Sequence, residues 1–494
     1  MAEYSKPLAT LAAMVLGLWL GTPGGVPRAA EVRLAPCRLE HPTHLVAVEA
    51  ECGRLAVPEN PAAPKGRQIE LYVARVPAIN LRERPDPLFV LAGGPGMAAT
   101  TFYTEAAGPL ARIHRDRDII LVDQRGTGRS NGLFCDLDDD ALWHAPGEIT
   151  AEARKCLDTL ERHADVALYT TSVAVQDLDR VRAALGYQVI DLYGVSYGTR
   201  VAQEYLRRFP QRVRAVVLDG VVPPQVALGA STPLDAEAAL DQIFARCVEN
   251  QACHARFGDP STAYRALRQS LVKQPVSVSL ANPTTGEPMT LTFTALHLAT
   301  VLRLSSYTSE QAALLPLSLH EAYARGDFVP LASQFLIVNR TYEDVIAEGM
   351  QNTVACTEDV PLYGREGIDR SRLEETFLGT TQVDALERIC AVWPHGPIDP
   401  DFHAPLHSDV PVLILSGAND PVTPPAFAAL AARGLTRHIT VELDGMGHGQ
   451  LAAPCVGALM AQFIERASTA GLDVSCARRA RPFPFFTSFA GPVP

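Results

Sequence analysis

Residues 189–210 read VIDLYGVSYGTRVAQEYLRRFP. An apolar run at 189–193 leads into the pentapeptide GVSYG, and a helical pattern follows until Pro210. The letters G-x-S-x-G are a weak signal on their own, but between a buried strand and a helix they place a serine on a tight turn, with its hydroxyl held above the end of the sheet. The helix N-terminus offers free N–H groups to a developing negative oxygen. The stretch therefore predicts an α/β sheet with Ser196 as a candidate nucleophile.

Short apolar runs of the same kind recur along the chain. They lie at residues 87–92, 118–122, 213–218, 412–415 and 438–443. Runs that are apolar on both faces are typical of parallel strands with helices on either side. Upstream, residues 53–57 and 68–76 alternate more clearly, which indicates an antiparallel start. We expect a mostly parallel, eight-stranded sheet with helices on both faces.

The length and composition fit a large globular protein. A chain of 494 residues has room for about three average domains, or for one α/β domain with a large insertion. Hydrophobic residues make up 47% and charged residues 20%, which argues against a disordered chain. The net charge is -12, and no block of basic residues offers a track for phosphates. Nucleic acid is therefore not an expected partner.

A long segment without a comparable series of buried strands interrupts the sheet pattern. Residues 223–407 read mainly as helices, with hairpin-like runs at 276–280 and 290–294. This predicts a large, mainly helical cap inserted after the sixth strand. The expected divisions are a signal peptide at 1–30, the first part of the core at 31–222, the cap at 223–407, the second part of the core at 408–476 and a tail at 477–494.

The N-terminus has the pattern of a secretory signal. Lys6 precedes an apolar stretch at residues 8–21, and small residues lead up to Ala29 and Ala30. This stretch is shorter than the roughly 20 residues that a membrane-spanning helix needs. We expect a periplasmic or secreted protein without stable membrane insertion, and a transmembrane anchor is the alternative.

Ten cysteines follow this signal, and an even count in an exported chain suggests disulfides. Pairing each cysteine with its neighbour in sequence is the simplest choice, because each pair then closes one local loop. The predicted pairs are Cys37 with Cys52, Cys135 with Cys156, Cys247 with Cys253, Cys356 with Cys390, and Cys455 with Cys476. The spacings do not match the C-x-x-C pattern of a zinc or redox site. The alternative is a cytosolic protein with scattered buried thiols.

A serine nucleophile requires a histidine base and a carboxylate that orients it, and in this type of sheet both come later in the chain. Asp420 follows one of the apolar runs, and His448 lies in a glycine-rich turn after the next run, 28 positions later. One helix and one strand between them would return the histidine to the aspartate. Asp444 is too close to His448 in sequence to orient the ring from behind, and Asp219 is a second rival. We predict Ser196, Asp420 and His448 as a catalytic triad.

The glycine-rich loop GGPG at 93–96 also follows an apolar run. An oxyanion hole needs backbone that approaches the substrate without a Cβ in the way. We assign the oxyanion hole to the N–H groups of Gly94 and Tyr197. The later motif DQRGTGRS lacks the lysine and the spacing of a phosphate-binding loop. We interpret its Asp123 and Arg125 as a structural ion pair beneath the site.

Six motifs together resemble those of a known family: GGPG at 93–96, DQRGTGRS at 123–130, GVSYGT at 194–199, LDGVVPP at 218–224, GANDPVTP at 417–424 and GMGHG at 445–449. The chain resembles the α/β-hydrolase peptidases that include proline iminopeptidase and the secreted bacterial tripeptidyl aminopeptidases. The resemblance implies an α/β-hydrolase fold and the same triad. Residues 455–476 look like the C-terminal portion of the tripeptidyl branch, and Ala92 and Thr199 stand where proline iminopeptidases usually have His and Gly.

These features favour an exported serine hydrolase that cleaves short peptides from their N-terminus, an aminopeptidase of tripeptidyl or prolyl type, through an acyl-enzyme intermediate. The alternative is an esterase or another hydrolase of small acyl substrates, because one fold and one triad serve many leaving groups. A binding protein without activity is a third possibility. We expect no metal or cofactor, because the sequence has no His/Asp/Glu cluster with ligand spacing.

In the resembled peptidases, cap carboxylates hold the substrate amine. The cap segment has Glu358 and Asp359 beside Cys356, which a disulfide to Cys390 would fix in place. An ammonium taken out of water needs a partner of opposite charge. We predict that Glu358, or otherwise Asp359, accepts the substrate amine, and the alternative is a solvated acidic turn.

Overall fold

The computed structural model describes residue 1 and residues 32–41, 46–135, 146–343, 345–366 and 368–492. The strands are β1 Ala35–Glu40, β2 Ala47–Pro58, β3 Gln68–Val76, β4 Leu88–Leu91, β5 Ile119–Val122, β6 Ile190–Val195, β7 Val213–Asp219, β8 Val276–Ala281, β9 Pro288–Phe293, β10 Val412–Gly417 and β11 His438–Leu443. Apart from residue 1, the predicted signal peptide lies outside the described residues.

The helices are α1 Ala99–His114, α2 Pro146–Leu160, α3 Thr171–Ala184, α4 Tyr197–Arg208, α5 Thr232–Glu249, α6 Gln251–Phe257, α7 Pro260–Lys273, α8 Ala295–Ser305, α9 Ser309–Ala312, α10 Leu315–Arg325, α11 Val329–Glu343, α12 Glu348–Val354, α13 Val360–Glu366, α14 Arg370–Glu375, α15 Thr381–Cys390, α16 Pro425–Ala432 and α17 Val456–Arg466. Among the described residues, none of these helices has the length and the apolar character that crossing a membrane requires.

Most strands form one mixed sheet. Within the described ranges it has nine strands in the order β1-β2-β3-β5-β4-β6-β7-β10-β11. β1 pairs antiparallel with β2, β2 pairs antiparallel with β3, and β3 pairs antiparallel with β5. From β5 to β11 all neighbours are parallel. Since parallel strands end at the same edge, the loops after β4, β6, β7, β10 and β11 lie along one edge of the sheet.

The sheet has one strand more than the eight predicted from the sequence. The additional strand is β1, which pairs with β2 at the edge of the sheet. Leu39 is its one buried residue, so the alternation of apolar and polar residues that marks a half-buried strand is missing. The long insertion consequently follows the seventh strand in chain order, not the sixth.

Hydrophobic clusters cover both faces of the sheet. Along β5, Ile120 and Val122 pack on one face with residues of α3, α4 and α16. Ile119 and Leu121 pack on the other face with residues of α1 and α17. This alternation is the two-residue period of a strand, and it explains why the central strands are apolar throughout. The predicted α/β architecture with helices on both faces is confirmed.

The chain between β7 and β10 contributes to two different cores. Helices α5, α7, α8, α10 and α11 pack with β8 and β9 around a separate cluster that includes Ile243, Leu302 and Leu319. Further along the chain, Met350 and Trp393 belong to the cluster beneath the main sheet. The first part of the insertion therefore has its own core, and the second part is packed onto the sheet domain.

Five disulfides join neighbours in sequence: Cys37–Cys52, Cys135–Cys156, Cys247–Cys253, Cys356–Cys390 and Cys455–Cys476. These are the pairs that local loop closure predicts. The first pair joins β1 to β2, and the fourth joins the turn before α13 to the end of α15. Cys37 and Cys52 are 15 positions apart, and closing a loop of that length restricts the unfolded chain. On the chain-entropy model this raises the free energy of unfolding by roughly 3 kcal/mol.

The C-terminal tail packs against the insertion. Phe485 is 5% exposed and belongs to the same cluster as Ile243. The guanidinium carbon of Arg246, on α5, lies 4.6 Å from the centre of the Phe485 ring. The N–H of Phe486 donates to the carbonyl oxygen of Ala313 at 3.2 Å. The tail thus ties the end of the chain to the core of the insertion.

We expect Phe485→Ala to lower the free energy of unfolding by about 3 to 5 kcal/mol, because the lost ring leaves a cavity among buried side chains. Phe489→Ala is the matched control, since Phe489 is 62% exposed, and its effect should stay within about 0.5 kcal/mol. Equilibrium unfolding in denaturant measures both changes. Equal losses in the two variants would contradict the packing of the tail.

Candidate active site

Ser196 lies between β6 and α4 with φ 55° and ψ -126°, a backbone conformation that costs a residue with a side chain free energy. The turn is tight because glycines flank it. A Cβ on Gly194 would lie 2.4 Å from the carbonyl oxygen of Gly198, and one on Gly198 would lie 2.2 Å from that of Leu91. The N–H of Ser196 donates to the carbonyl oxygen of Asp219 at 2.9 Å. The sequence thus builds the elbow that the glycine spacing predicts.

Asp420 and His448 meet at the same edge of the sheet. They follow β10 and β11, which are parallel neighbours. The Nδ1 atom of His448 lies 3.0 and 2.8 Å from the two carboxylate oxygens of Asp420. One of these oxygens also accepts the N–H groups of Val422 and Thr423, at 2.9 and 2.8 Å. These two N–H groups therefore hold the Asp420 carboxylate in place independently of its contact with the imidazole.

Thr423 is a member of this group that the sequence reasoning missed. The Thr423 hydroxyl donates to Asp420 Oδ2 at 2.6 Å, and Thr423 Oγ1 lies 3.1 Å from His448 Nδ1. The available signal was its position three residues after Asp420, where a hydroxyl can return to an aspartate side chain across a turn. Thr423 completes the hydrogen bonds that orient the carboxylate.

The electrostatic surroundings of His448 favour its protonated form. Burial lowers the pKa of the imidazole, but the charge and hydrogen bond of Asp420, with the charge of Asp219, outweigh it and raise the pKa above its usual value. The His448 side chain is 10% exposed, and that of Asp420 is fully buried. Arg303, on α8, acts in the opposite direction. The imidazole is thus prepared to accept a proton.

The insertion contacts the histidine directly. The N–H of His448 donates to the carbonyl oxygen of Tyr307 at 2.7 Å. The two rings meet edge to face with centres 5.1 Å apart. A Cβ on Gly447 would lie 2.4 Å from the same carbonyl oxygen, so only glycine allows this approach. The loop after α8 therefore holds the histidine turn from above.

The predicted oxyanion-hole segments lie next to the serine. A Cβ on Gly93 would lie 3.1 Å from the Cβ of Ser196 and 3.6 Å from its hydroxyl oxygen. Gly94 has φ 103°, which favours glycine. Tyr197 is the first residue of α4, where backbone N–H groups have no partner within the helix. The structure brings Gly94, Tyr197 and the serine hydroxyl into one region.

Glu358 and Asp359 are buried and hydrogen-bonded to other residues of the protein. They lie in the π-helical turn Ala355–Asp359 and are 0% and 2% exposed. The Glu358 oxygens accept the N–H and the hydroxyl of Thr171 at 2.7 and 2.9 Å, and Asp359 Oδ1 accepts from Arg200 Nη1 at 2.8 Å. Both carboxylates already have buried partners. Their burial contradicts the alternative of a solvated turn, and the assignment of either carboxylate to a substrate amine stays a prediction.

This buried turn is connected to the elbow instead. The hydroxyl of Tyr197 lies 2.6 Å from Thr171 Oγ1 and accepts from Gln124 Nε2 at 3.0 Å. Burial raises the pKa of Glu358 to about 7, against the lowering effect of the nearby Arg200 charge. Hydrogen bonds therefore run from the side chain that follows Ser196 to a carboxylate on the inserted segment.

The predicted ion pair between Asp123 and Arg125 is also corrected. The Nε of Arg125 lies 2.7 Å from Asp177 Oδ2, and its Nη1 donates to the carbonyl oxygen of Glu59 at 2.7 Å. Asp123 accepts the N–H and the hydroxyl of Thr100 at 3.0 and 2.8 Å. Partners distant in the chain outcompete the neighbour two residues away.

In the described part of the chain, no group of three or more His, Cys, Asp or Glu could hold a metal ion.

Two family models match the chain. The model described as the alpha/beta hydrolase fold matches residues 86–248, which include the elbow. The model described as TAP-like protein matches residues 375–476, which include Asp420 and His448. The two candidate halves of the site therefore lie in the two matched regions.

Three curated relatives cover most of the chain. Serine protease Hip1 of Mycobacterium tuberculosis is 28% identical over 483 residues, covering 89% of this chain and 90% of the relative. Tripeptidyl aminopeptidase of Streptomyces coelicolor is 27% identical over 471 residues, covering 88% and 84%. Carboxylesterase B of Mycobacterium tuberculosis is 28% identical over 440 residues, covering 81% and 80%. Together with the sheet order and the elbow, these matches show an α/β-hydrolase fold, and residues 375–476 are similar to the TAP-like family.

Proposed function

We propose that the protein is an exported serine hydrolase that removes short peptides from the N-terminus of peptide substrates. The observation that carries the proposal is the contact of His448 with Asp420 at the sheet edge where the elbow presents Ser196. A relative named for tripeptidyl aminopeptidase activity covers most of the chain, which supports a peptide substrate.

The reaction would proceed through an acyl-enzyme. Ser196 Oγ attacks the scissile carbonyl while its proton moves to His448 Nε2, and Asp420 holds the other ring nitrogen. The carbonyl oxygen becomes an oxyanion, and the N–H groups of Gly94 and Tyr197 stabilise it. His448 then gives the proton to the leaving amine. A water molecule, deprotonated by His448, then attacks the acyl carbon; the bond to Ser196 Oγ breaks, and His448 returns the proton to Ser196.

The protonation state of His448 gives the reaction a pH dependence. The imidazole accepts a proton only when it is neutral, and the neighbouring carboxylates raise its pKa. Activity is therefore complete above that pKa and falls as the pH drops through it. The same charges stabilise the imidazolium that forms when Ser196 loses its proton.

Asp235 is a second candidate for the amine-binding residue, beside Glu358. It lies in the first turn of α5, is partly exposed, and accepts a hydrogen bond from the Ser231 hydroxyl at 2.7 Å. Burial raises its pKa to about 6, the Ser231 bond lowers it, and the charge of Asp420 raises it further. The charge of Asp420 thus acts on Asp235, and within the described residues no cation pairs with it. An ammonium would supply the missing partner.

An esterase remains the second candidate function. A relative named Carboxylesterase B covers 81% of this chain, and the same triad would cleave an ester. The two functions differ in what they need beyond the triad. A peptide N-terminus requires an anionic partner such as Asp235, and a simple ester does not.

A periplasmic or secreted location is part of the proposal. Five disulfides fit an oxidising compartment, and disulfides of this number are rare in the cytosol of mesophilic organisms. The apolar stretch at residues 8–21 supplies a signal sequence for export.

We expect Ser196→Ala to reduce kcat/KM by about 10⁴-fold or more while the unfolding transition is preserved, because the nucleophile is lost and the elbow is kept. A fluorophosphonate probe should label the tryptic peptide that contains Ser196 in the wild type only. Ser270→Ala, on the exposed side of α7, should label and turn over as the wild type does. Labelling that persists in Ser196→Ala would reject the serine assignment.

We expect Asp235→Asn to lower kcat/KM about 10- to 100-fold for peptides with a free amine, the range for a lost charged hydrogen bond. Hydrolysis of N-acetylated peptides and simple esters should change less than about twofold. Asp241→Asn is the matched control, since Asp241 lies on the same helix and is exposed. An equal loss on free and blocked substrates would remove Asp235 from amine binding.

A further inference from the structure

Asp219 is a second buried carboxylate at the catalytic edge. It is the last residue of β7 and is 0% exposed. Its two oxygens accept the backbone N–H of Gln450 at 2.7 and 2.9 Å, and one of them accepts the hydroxyl of Tyr193 at 2.9 Å. Gln450 comes two residues after His448. The Asp219 side chain therefore fixes the backbone of the histidine turn.

The backbone around Asp219 contacts the other two loops of the site. Its carbonyl oxygen accepts the N–H of Ser196 at 2.9 Å. The next N–H, of Gly220, donates at 3.0 Å to the carbonyl oxygen of Leu415, in the strand that leads to Asp420. One short turn is thus hydrogen-bonded to the serine, to the histidine turn and to the strand of the catalytic acid.

The same turn packs directly on the imidazole. Gly220 has φ 63°, and a Cβ there would lie 3.2 Å from His448 Cε1 and 3.0 Å from Thr423 Oγ1. Glycine is therefore required for the turn to approach the ring this closely. The approach brings Asp219 within electrostatic range of the imidazole without a hydrogen bond to it.

A buried anion needs a physical reason, because removing its charge from water is costly. Burial raises the pKa of Asp219, and the charge of Asp420 raises it as well. Hydrogen bonds from Gln450 and Tyr193 and the charge of His448 lower it, and the resulting pKa is about 6. The hydrogen bonds and the charge of His448 thus favour the ionised carboxylate over the neutral one. No Lys or Arg in the described ranges forms an ion pair with it. The cation that it faces is the imidazolium that forms during the proposed reaction.

We propose that Asp219 is a positioning residue for His448: it holds the histidine turn through Gln450 and supplies a second negative charge that stabilises the protonated imidazole. This inference rests on the proposed serine hydrolase function. When Ser196 bonds to the substrate carbonyl, its proton moves to His448, and the resulting positive charge is shared between Asp420 and Asp219. Arg303, on α8, opposes both charges. Asp219 itself neither gains nor loses a proton in the step.

Two variants of this group should move the pH dependence in the same direction, by different amounts. Asp219→Asn removes the negative charge, so the pKa of His448 falls and the acid limb of the reaction moves to lower pH. Tyr193→Phe removes a hydrogen bond that favours the charged carboxylate, so Asp219 is protonated more often, its charge is partly lost, and the acid limb moves to lower pH by a smaller amount. A purely structural role for Asp219 would move neither midpoint.

The test is the rate of inactivation by a fluorophosphonate between pH 5 and 9, since this rate reports the activated serine without a peptide substrate. We expect the midpoint to shift down by about half a pH unit or more in Asp219→Asn and by a smaller amount in Tyr193→Phe, and the plateau of Asp219→Asn to fall about tenfold or more. Asp191→Asn is the matched control, because Asp191 is a fully buried carboxylate on β6 that pairs with Arg214 and lies away from the triad. Its midpoint should equal that of the wild type.

The outcomes separate the two levels of inference. If the wild type is not inactivated at any pH, the serine hydrolase function fails. If the wild type reacts but the Asp219→Asn midpoint is unchanged, or shifts upward, the role of Asp219 is overturned and the function stands. If Asp219→Asn does not fold, Tyr193→Phe decides, and an unchanged midpoint there overturns the role.

Discussion

The convergence of three loops at one edge of a parallel sheet is the constraint on which the site depends. The serine, the acid and the histidine follow β6, β10 and β11, and each loop has little freedom of its own. Glycines at positions 194 and 198 close the elbow, and the 2.8 Å contact of His448 with Asp420 joins loops that are 28 residues apart. A sheet whose strands end together can hold such groups in register, because its hydrogen bonds fix where each strand stops.

Buried charges hold the surroundings of these loops. Arg200, four residues after the serine, pairs with Asp359 on the inserted segment at 2.8 Å, and both side chains are almost fully buried. Arg125 pairs with Asp177 under the neighbouring loop at 2.7 Å. Breaking such a pair from one side leaves an uncompensated charge, which is strongly destabilising. The Arg200–Asp359 pair therefore fixes the inserted segment relative to the helix that follows Ser196.

The parts of this structure that sequence could predict are those with a local signal. Apolar runs identify the central strands because every position there is buried, and the order of Ser196, Asp420 and His448 follows from the loops after such runs. The edge strand β1 lacks this signal, since Leu39 is its one buried residue. The burial of Glu358 and Asp359 could not be predicted, because adjacent charges look the same in sequence whether they face solvent or a buried arginine. The contact of Asp219 with Gln450 joins residues far apart in the chain, and sequence spacing does not reveal it.

The central claim is that acyl transfer proceeds through a covalent intermediate on Ser196. The most direct measurement is mass spectrometry of enzyme quenched in acid during turnover of a tripeptide p-nitrophenyl ester with a free amine, followed by digestion and mapping. The account predicts an adduct with the mass of the tripeptidyl acyl group on the peptide that contains Ser196. Turnover without any adduct, or an adduct mapped to another residue, would contradict it.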